Sequence, residues 1–232
     1  MKREILSVWS LMARATMPLT LLICLLISVI EAVLFPLQSS GVQRLDTAFT
    51  DSAVITVFVI AMAALYAVMC LHGTLGTRNA IPFARLGVSD RVRFVVLAVQ
   101  TALCLLILWA WQTGVAFALA LWWGHAHPET VGQHTLLAAF YRVSFLHALL
   151  PLGDWLMWVR NTVLCAALGL CAAKAACTRH AVGPMIVGVL AALLWPTGIS
   201  SGMFVPIQIA LLAAAGWFAW MFGTEVQHET ES

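Results

Sequence analysis

Glu31 and Arg160 are charged residues set in otherwise apolar stretches, where an ionisable side chain is a functional candidate by default. Each falls about five or six residues, roughly 9 Å at 1.5 Å per residue, inside the same end of its stretch. A carboxylate and a guanidinium at matched depth suggest an intramembrane pair, serving either function or as a clamp between two helices. Gln100, Gln112, Asn161 and Gln208 also stand in apolar surroundings, where they either line a path or bond helix to helix. His125, His127, Glu129 and His134 form a cluster whose residue types suit zinc or copper. Histidine protonation in the same cluster would instead make the segment pH-sensitive; the spacing alone assigns no metal.

Two further patterns have simpler readings. Gly198-Ile199-Ser200-Ser201-Gly202 fits Gly-x-Ser-x-Gly, but a nucleophile elbow works on a strand-to-helix turn of a sheet. The surrounding apolar runs offer no sheet, so the segment reads as a turn and no catalytic residue is assigned. Cys24, Cys70, Cys104, Cys165, Cys171 and Cys177 lack Cys-x-x-Cys spacing, which argues against both a zinc site and a disulfide framework. They read as small packing residues. There is no Gly-rich phosphate loop, so the chain itself is expected to bind no cofactor, and ATP-driven work would belong to another chain.

The elements that must position these residues follow from composition. Of 232 residues, 62% are hydrophobic and 9% charged, and mean hydropathy is +0.95. A soluble domain carries about 25% charged residues, so a soluble globular protein and a disordered chain are both excluded. A net charge of +2 leaves no basic footprint for nucleic acid. Six apolar stretches are long enough to cross a bilayer at about 20 residues each: 17–37, 52–72, 94–123, 155–176, 182–200 and 204–222. Continuous apolar runs fit helices, which satisfy their own backbone in lipid. The expected fold class is therefore all-α, a six-span multi-pass protein of the plasma membrane occupying 17–222.

Orientation follows from Lys and Arg. With the N-terminus inside, nine of the twelve (Lys2, Arg3, Arg14, Arg78, Arg85, Arg91, Arg93, Lys174 and Arg179) fall on the cytoplasmic side, and Arg44, Arg142 and Arg160 on the other. Six spans put the acidic tail 223–232 in the cytoplasm too. Residues 1–16 carry Arg3, Ser7, Ser10 and Arg14 on one helical face and Ile5, Trp9 and Met12 on another. That is an amphipathic helix suited to lying in the interface, with Pro18 where the chain would turn into the first span. The other reading is an extension of span one. The outer segment 124–154 is amphipathic and suits the outer leaflet, with Phe140, Tyr141, Phe145, Trp155 and Trp158 at the interface.

The inner segment 73–93 has its own punctuation. Asn79 can cap a short helix, Pro82 is tolerated in a first turn, Gly87 is a natural stop, and Ser89 with Asp90 suits the start of the third span. Gly73-Thr74, then Arg85-Leu86-Gly87-Val88-Ser89, then Phe94 and Gln100, within this architecture, resemble the permease subunits of ABC-2-type transporters. The resemblance implies that Arg78, Asn79, Phe83, Arg85 and Leu86 form a coupling segment that docks on an ABC ATPase subunit holding ATP and Mg. It also implies a second permease subunit, identical or related, beside this one in the bilayer. The competing expectation is an accessory or sensor membrane protein of a larger complex, with no transport activity of its own.

Overall fold

The computed structural model describes residues 2–42, 44–74, 90–128, 135–177, 188, 206, 208–210 and 212–217. These residues form α1 (Lys2–Ser39), α2 (Leu45–Asp51), α3 (Val54–Thr74), α4 (Asp90–Ala126), α5 (Thr135–Arg142), α6 (Ser144–Leu149) and α7 (Trp155–Cys177). A shorter apolar helix, α8, covers Gln208–Trp217. Among the described residues there is no strand, and four helices are long and apolar enough to cross a membrane: α1, α3, α4 and α7. Of the expected fifth stretch, 182–200, only Gly188 is described.

α1 is one helix, so the expected break between an interfacial helix 1–16 and the first span is absent. Pro18 lies inside it. Proline removes one backbone donor and so leaves the Arg14 carbonyl, four residues earlier, without its ladder bond, which helices in lipid tolerate. Thr16 Oγ1 donates to the Met12 carbonyl at 2.9 Å and Thr20 Oγ1 to the Thr16 carbonyl at 3.0 Å. The N-terminal turns are held by protein contacts: Val8 and Met12 are buried with Phe94, Leu97, Ala173 and Ala176. Further along, Leu21, Leu22, Leu25, Leu26 and Val29 of α1 are exposed, a face that suits lipid.

The packing gives each helix a direction. Gln100 Nε2 donates to Thr16 Oγ1 at 3.0 Å and Trp111 Nε1 to Ser28 Oγ at 2.8 Å, so α1 and α4 run parallel. α7 runs antiparallel to α4. The Trp109 and Trp158 rings lie 5.3 Å apart near one end, and Gly169 sits against Ala98 and Ala102 further along. α3 starts where Gln38 Oε1 accepts from the Ala53 N–H at 2.7 Å and runs back along α1. α8 runs parallel to α7, with Gln208 by Arg160 and Gly216 against Ala167 and Leu170. Gly188 lies against the Tyr66 ring with no room for a Cβ.

One end of the bundle therefore collects the starts of α1 and α4 and the ends of α3 and α7. At the other end the short helices fill the space between the long ones. In α2, partial burial raises the Asp46 carboxyl, but donation from Arg44, at 2.6 Å and 3.1 Å, and from the Thr47 N–H outweighs it. The carboxyl therefore sits below its usual range. Asp154 caps α7: its Oδ1 accepts from the N–H groups of Leu156 and Met157 at 3.1 and 3.2 Å. Asp154→Ala should lower stability by about 1 kcal/mol, and Asp154→Asn by less, in thermal unfolding of the detergent-solubilised chain.

Candidate functional site

The polar residues of the bundle fall into two groups, and Glu31 and Arg160 are in different ones. Glu31, fully buried on α1, accepts from Gln112 Nε2 of α4 at 2.8 Å on both carboxylate oxygens. Arg160, 2% exposed on α7, donates from Nε and Nη2 to Asn161 Oδ1 at 3.3 and 3.2 Å, and from Nη1 to Gln208 Oε1 at 3.4 Å. The expected Glu31–Arg160 pair is not formed. The reason is the order of helices: α4 packs along both α1 and α7, so the first polar group to reach Glu31 is Gln112. Joint reversal, Glu31→Arg with Arg160→Glu, is therefore expected not to recover the folded yield lost by either single reversal. Recovery in the double variant would contradict this separation.

Each of the four expected pathway residues has a bonding role between helices. Gln100 ties α4 to α1, with its Nε2 on Thr16 Oγ1 and 3.5 Å from Cys104 Sγ. Gln112 ties the same two helices at Glu31, and Gln208 ties α8 to α7 at Arg160. Asn161 Nδ2 donates to the Ala148 carbonyl at 2.8 Å, which anchors the segment before α7 to α7 itself.

That segment is seated differently from the expectation for 124–154. α6 is a buried plug at the end opposite the starts of α1 and α4. Phe145, Leu146, Ala148 and Leu149 are all fully buried, and Phe145 meets Phe58 of α3 at 5.8 Å between ring centroids. Trp109 Nε1 donates to the Leu149 carbonyl at 2.8 Å, and Trp158 Nε1 to the Pro151 carbonyl at 2.9 Å. Trp109 is 17 residues, about 25 Å of helix, short of the end of α4, so the plug reaches deep along α4. Of the aromatic residues expected at the interface, Tyr141, Trp155 and Trp158 are exposed, whereas Phe140 and Phe145 are in the core. Apolar composition alone does not separate an interfacial helix from one inserted among its neighbours; the difference lies in the backbone carbonyls that the two indoles and Asn161 satisfy.

The histidine cluster does not converge among the described residues. His125 is exposed, while His127 stacks on Trp123 at 4.5 Å between centroids, with Nδ1 3.2 Å from the Trp123 carbonyl oxygen. His134 lies outside the described residues, and among those described no group of three possible ligands could hold a metal ion. His147, which the sequence did not single out, has Nε2 3.9 Å from Asp154 Oδ2. The coupling residues Arg78, Asn79, Phe83, Arg85 and Leu86 also lie outside the described residues.

Gly169 is a second residue that carries weight without polar chemistry. A Cβ there would collide with the Ala98 carbonyl oxygen and come within 3.2 Å of Ala102 Cβ. This is the close approach of backbones that small residues permit in membranes. The signal was present in the sequence as small residues four apart, Cys165, Gly169 and Ala173 on α7 and Ala98 and Ala102 on α4. Comparison of the chain with family models, with curated proteins and with solved structures finds no match.

Proposed function

We propose that this chain is the membrane-embedded permease subunit of an ABC-2-type transporter, driven by a separate ATPase subunit and working beside a second permease, identical or related. Its cargo would be a peptide, a lipid-like molecule or a hydrophobic small molecule. The observation that carries the reading is the gathering of helix ends. α1 and α4 begin, and α3 and α7 stop, at one end of the bundle; eight of the twelve Lys and Arg residues belong to those ends and their connections, and Arg14 lies in the same half of α1. By the positive-inside bias that end faces the cytoplasm, where an ATPase would dock on 73–93.

Six crossings are part of the proposal. Its support is that α7 and α8 run parallel, with Gly188, which lies between them in sequence, beside Tyr66 of α3. Both termini are then cytoplasmic. In this reading the α6 plug closes the outer end, and transport proceeds by a shift in population between inward- and outward-open forms. Isolation of the chain from its native plasma membrane tests the proposal: an ATP-binding cassette subunit should accompany it in fixed proportion.

A further inference from the structure

We propose that Glu31 and Gln112 form a proton-binding site in the seam between α1 and α4, whichever partner chain works with this one. Both residues are fully buried. The Gln112 amide is the hydrogen-bond partner of the Glu31 carboxyl, Nε2 donating at 2.8 Å to each oxygen. Gln112 Oε1 accepts no hydrogen bond among the described residues. With Glu31 ionised, the two planar groups thus offer three acceptor oxygens to a single amide nitrogen.

One added proton resolves this mismatch. The carboxyl O–H donates to Gln112 Oε1, while Gln112 Nε2 donates to the other carboxyl oxygen, after rotation about terminal torsions that are broad and two-fold. Acid and amide then close a ring of two hydrogen bonds. Every polar atom of the pair has a partner, as buried polar groups require, and no net charge remains away from water. A metal ion is the poorer occupant, because hard divalent cations take about six or more oxygens and the pair offers three. The proton comes from bulk water as carboxylate becomes carboxylic acid and returns there on release; only an O–H bond forms or breaks.

The elements packed against α1 bring few competing charges. α3 carries no charged residue from Val54 to Leu71, and α4 none from Phe94 to Trp123. α2 brings Arg44 and Asp46, which pair with each other, and the exposed Asp51. Cys24 on α1, Tyr66 and Cys70 on α3 and Cys104 on α4 are the other titratable groups in the middle of these helices; toward their ends lie Lys2, Arg3, Glu4 and Arg14 on α1, His72 on α3, and Asp90, Arg91, Arg93 and His125 on α4. The seam continues toward the basic end through Ser28 with Trp111 and through Gln100 with Thr16 and Cys104. Gln100 Oε1 is likewise buried and unpartnered among the described residues.

Infrared difference spectroscopy of the full chain in lipid vesicles, titrated over the pH range in which it stays folded, tests the site. The expected result is a carboxylic-acid carbonyl band that comes and goes with pH, is absent from Glu31→Gln, and moves in Gln112→Met as the acid loses its amide partner. Identical titrations of wild type and Glu31→Gln would overturn the proposal, as would a Glu31 band that Gln112→Met leaves in place. If Glu31→Gln does not fold, isotope-labelled glutamate in the wild type decides. A titrating acid band that shifts with the label and moves in Gln112→Met supports the site, and no such band overturns it.

Discussion

Gly169→Leu is expected to abolish the folded bundle, and Gly169→Ala to weaken it. At this crossing the obstacle to a Cβ is a backbone oxygen, that of Ala98, with Ala102 Cβ beside it. A flexible side chain can swing away from an intruding methyl, but a carbonyl held in the helix ladder of α4 cannot. α4 and α7 must separate instead, and this is one of the most extensive helix contacts among the described elements. Overpacking a core costs about 1–3 kcal/mol for small insertions, which sets the expected loss for Gly169→Ala; a leucine exceeds what local shifts can absorb. Thermal unfolding and size-exclusion profiles in detergent read both. A Gly169→Leu chain that remains monodisperse and unfolds at the wild-type temperature would show that α4 and α7 do not meet in this way.

Gln112→Leu is expected to be the most damaging single change at the polar seam, because it removes the donor that faces the Glu31 carboxyl. An unsatisfied buried polar group costs about 1–3 kcal/mol, and more if it is charged. Glu31→Leu leaves the Gln112 amide unsatisfied and should cost a similar amount. The double variant removes both partners and leaves an apolar contact, so it should be more stable than Gln112→Leu alone, with a coupling of about 0.5–3 kcal/mol as found for residues in direct contact. Unfolding free energies of the four proteins in the cycle check this. Strict additivity would mean that the two side chains do not depend on one another.

What the sequence makes legible here is the set of long apolar helices suited to a membrane. The apolar runs of α1, α3, α4 and α7 and the clustering of Lys and Arg follow from the cost of polar and charged groups in lipid, which acts on each residue separately. Which helix lies beside which is a different matter. Glu31 and Arg160 were matched by depth, and depth was insufficient, because α4 brings Gln112 to Glu31 and leaves Arg160 to Asn161 and Gln208. Pro18 suggests a bend in an amphipathic segment, but α1 is continuous, with Val8 and Met12 packed on α4 and α7. The α6 plug had no sequence signature, since the groups that anchor it are the carbonyls of Ala148, Leu149 and Pro151, which every residue type possesses. Gly169 was visible as a small residue among small residues, though its contact with Ala98 was not.

The most direct test of the proposed function is quantitative isolation of the chain from its native membrane, wild type beside the double variant Arg78→Glu and Arg85→Glu. If the basic end is a cytoplasmic docking face, an ATP-binding cassette subunit should co-isolate with the wild type in fixed proportion. The variant should lose it while remaining inserted and folded. Absence of any such ATPase from the wild-type complex, or its undiminished retention by the variant, would contradict the proposal.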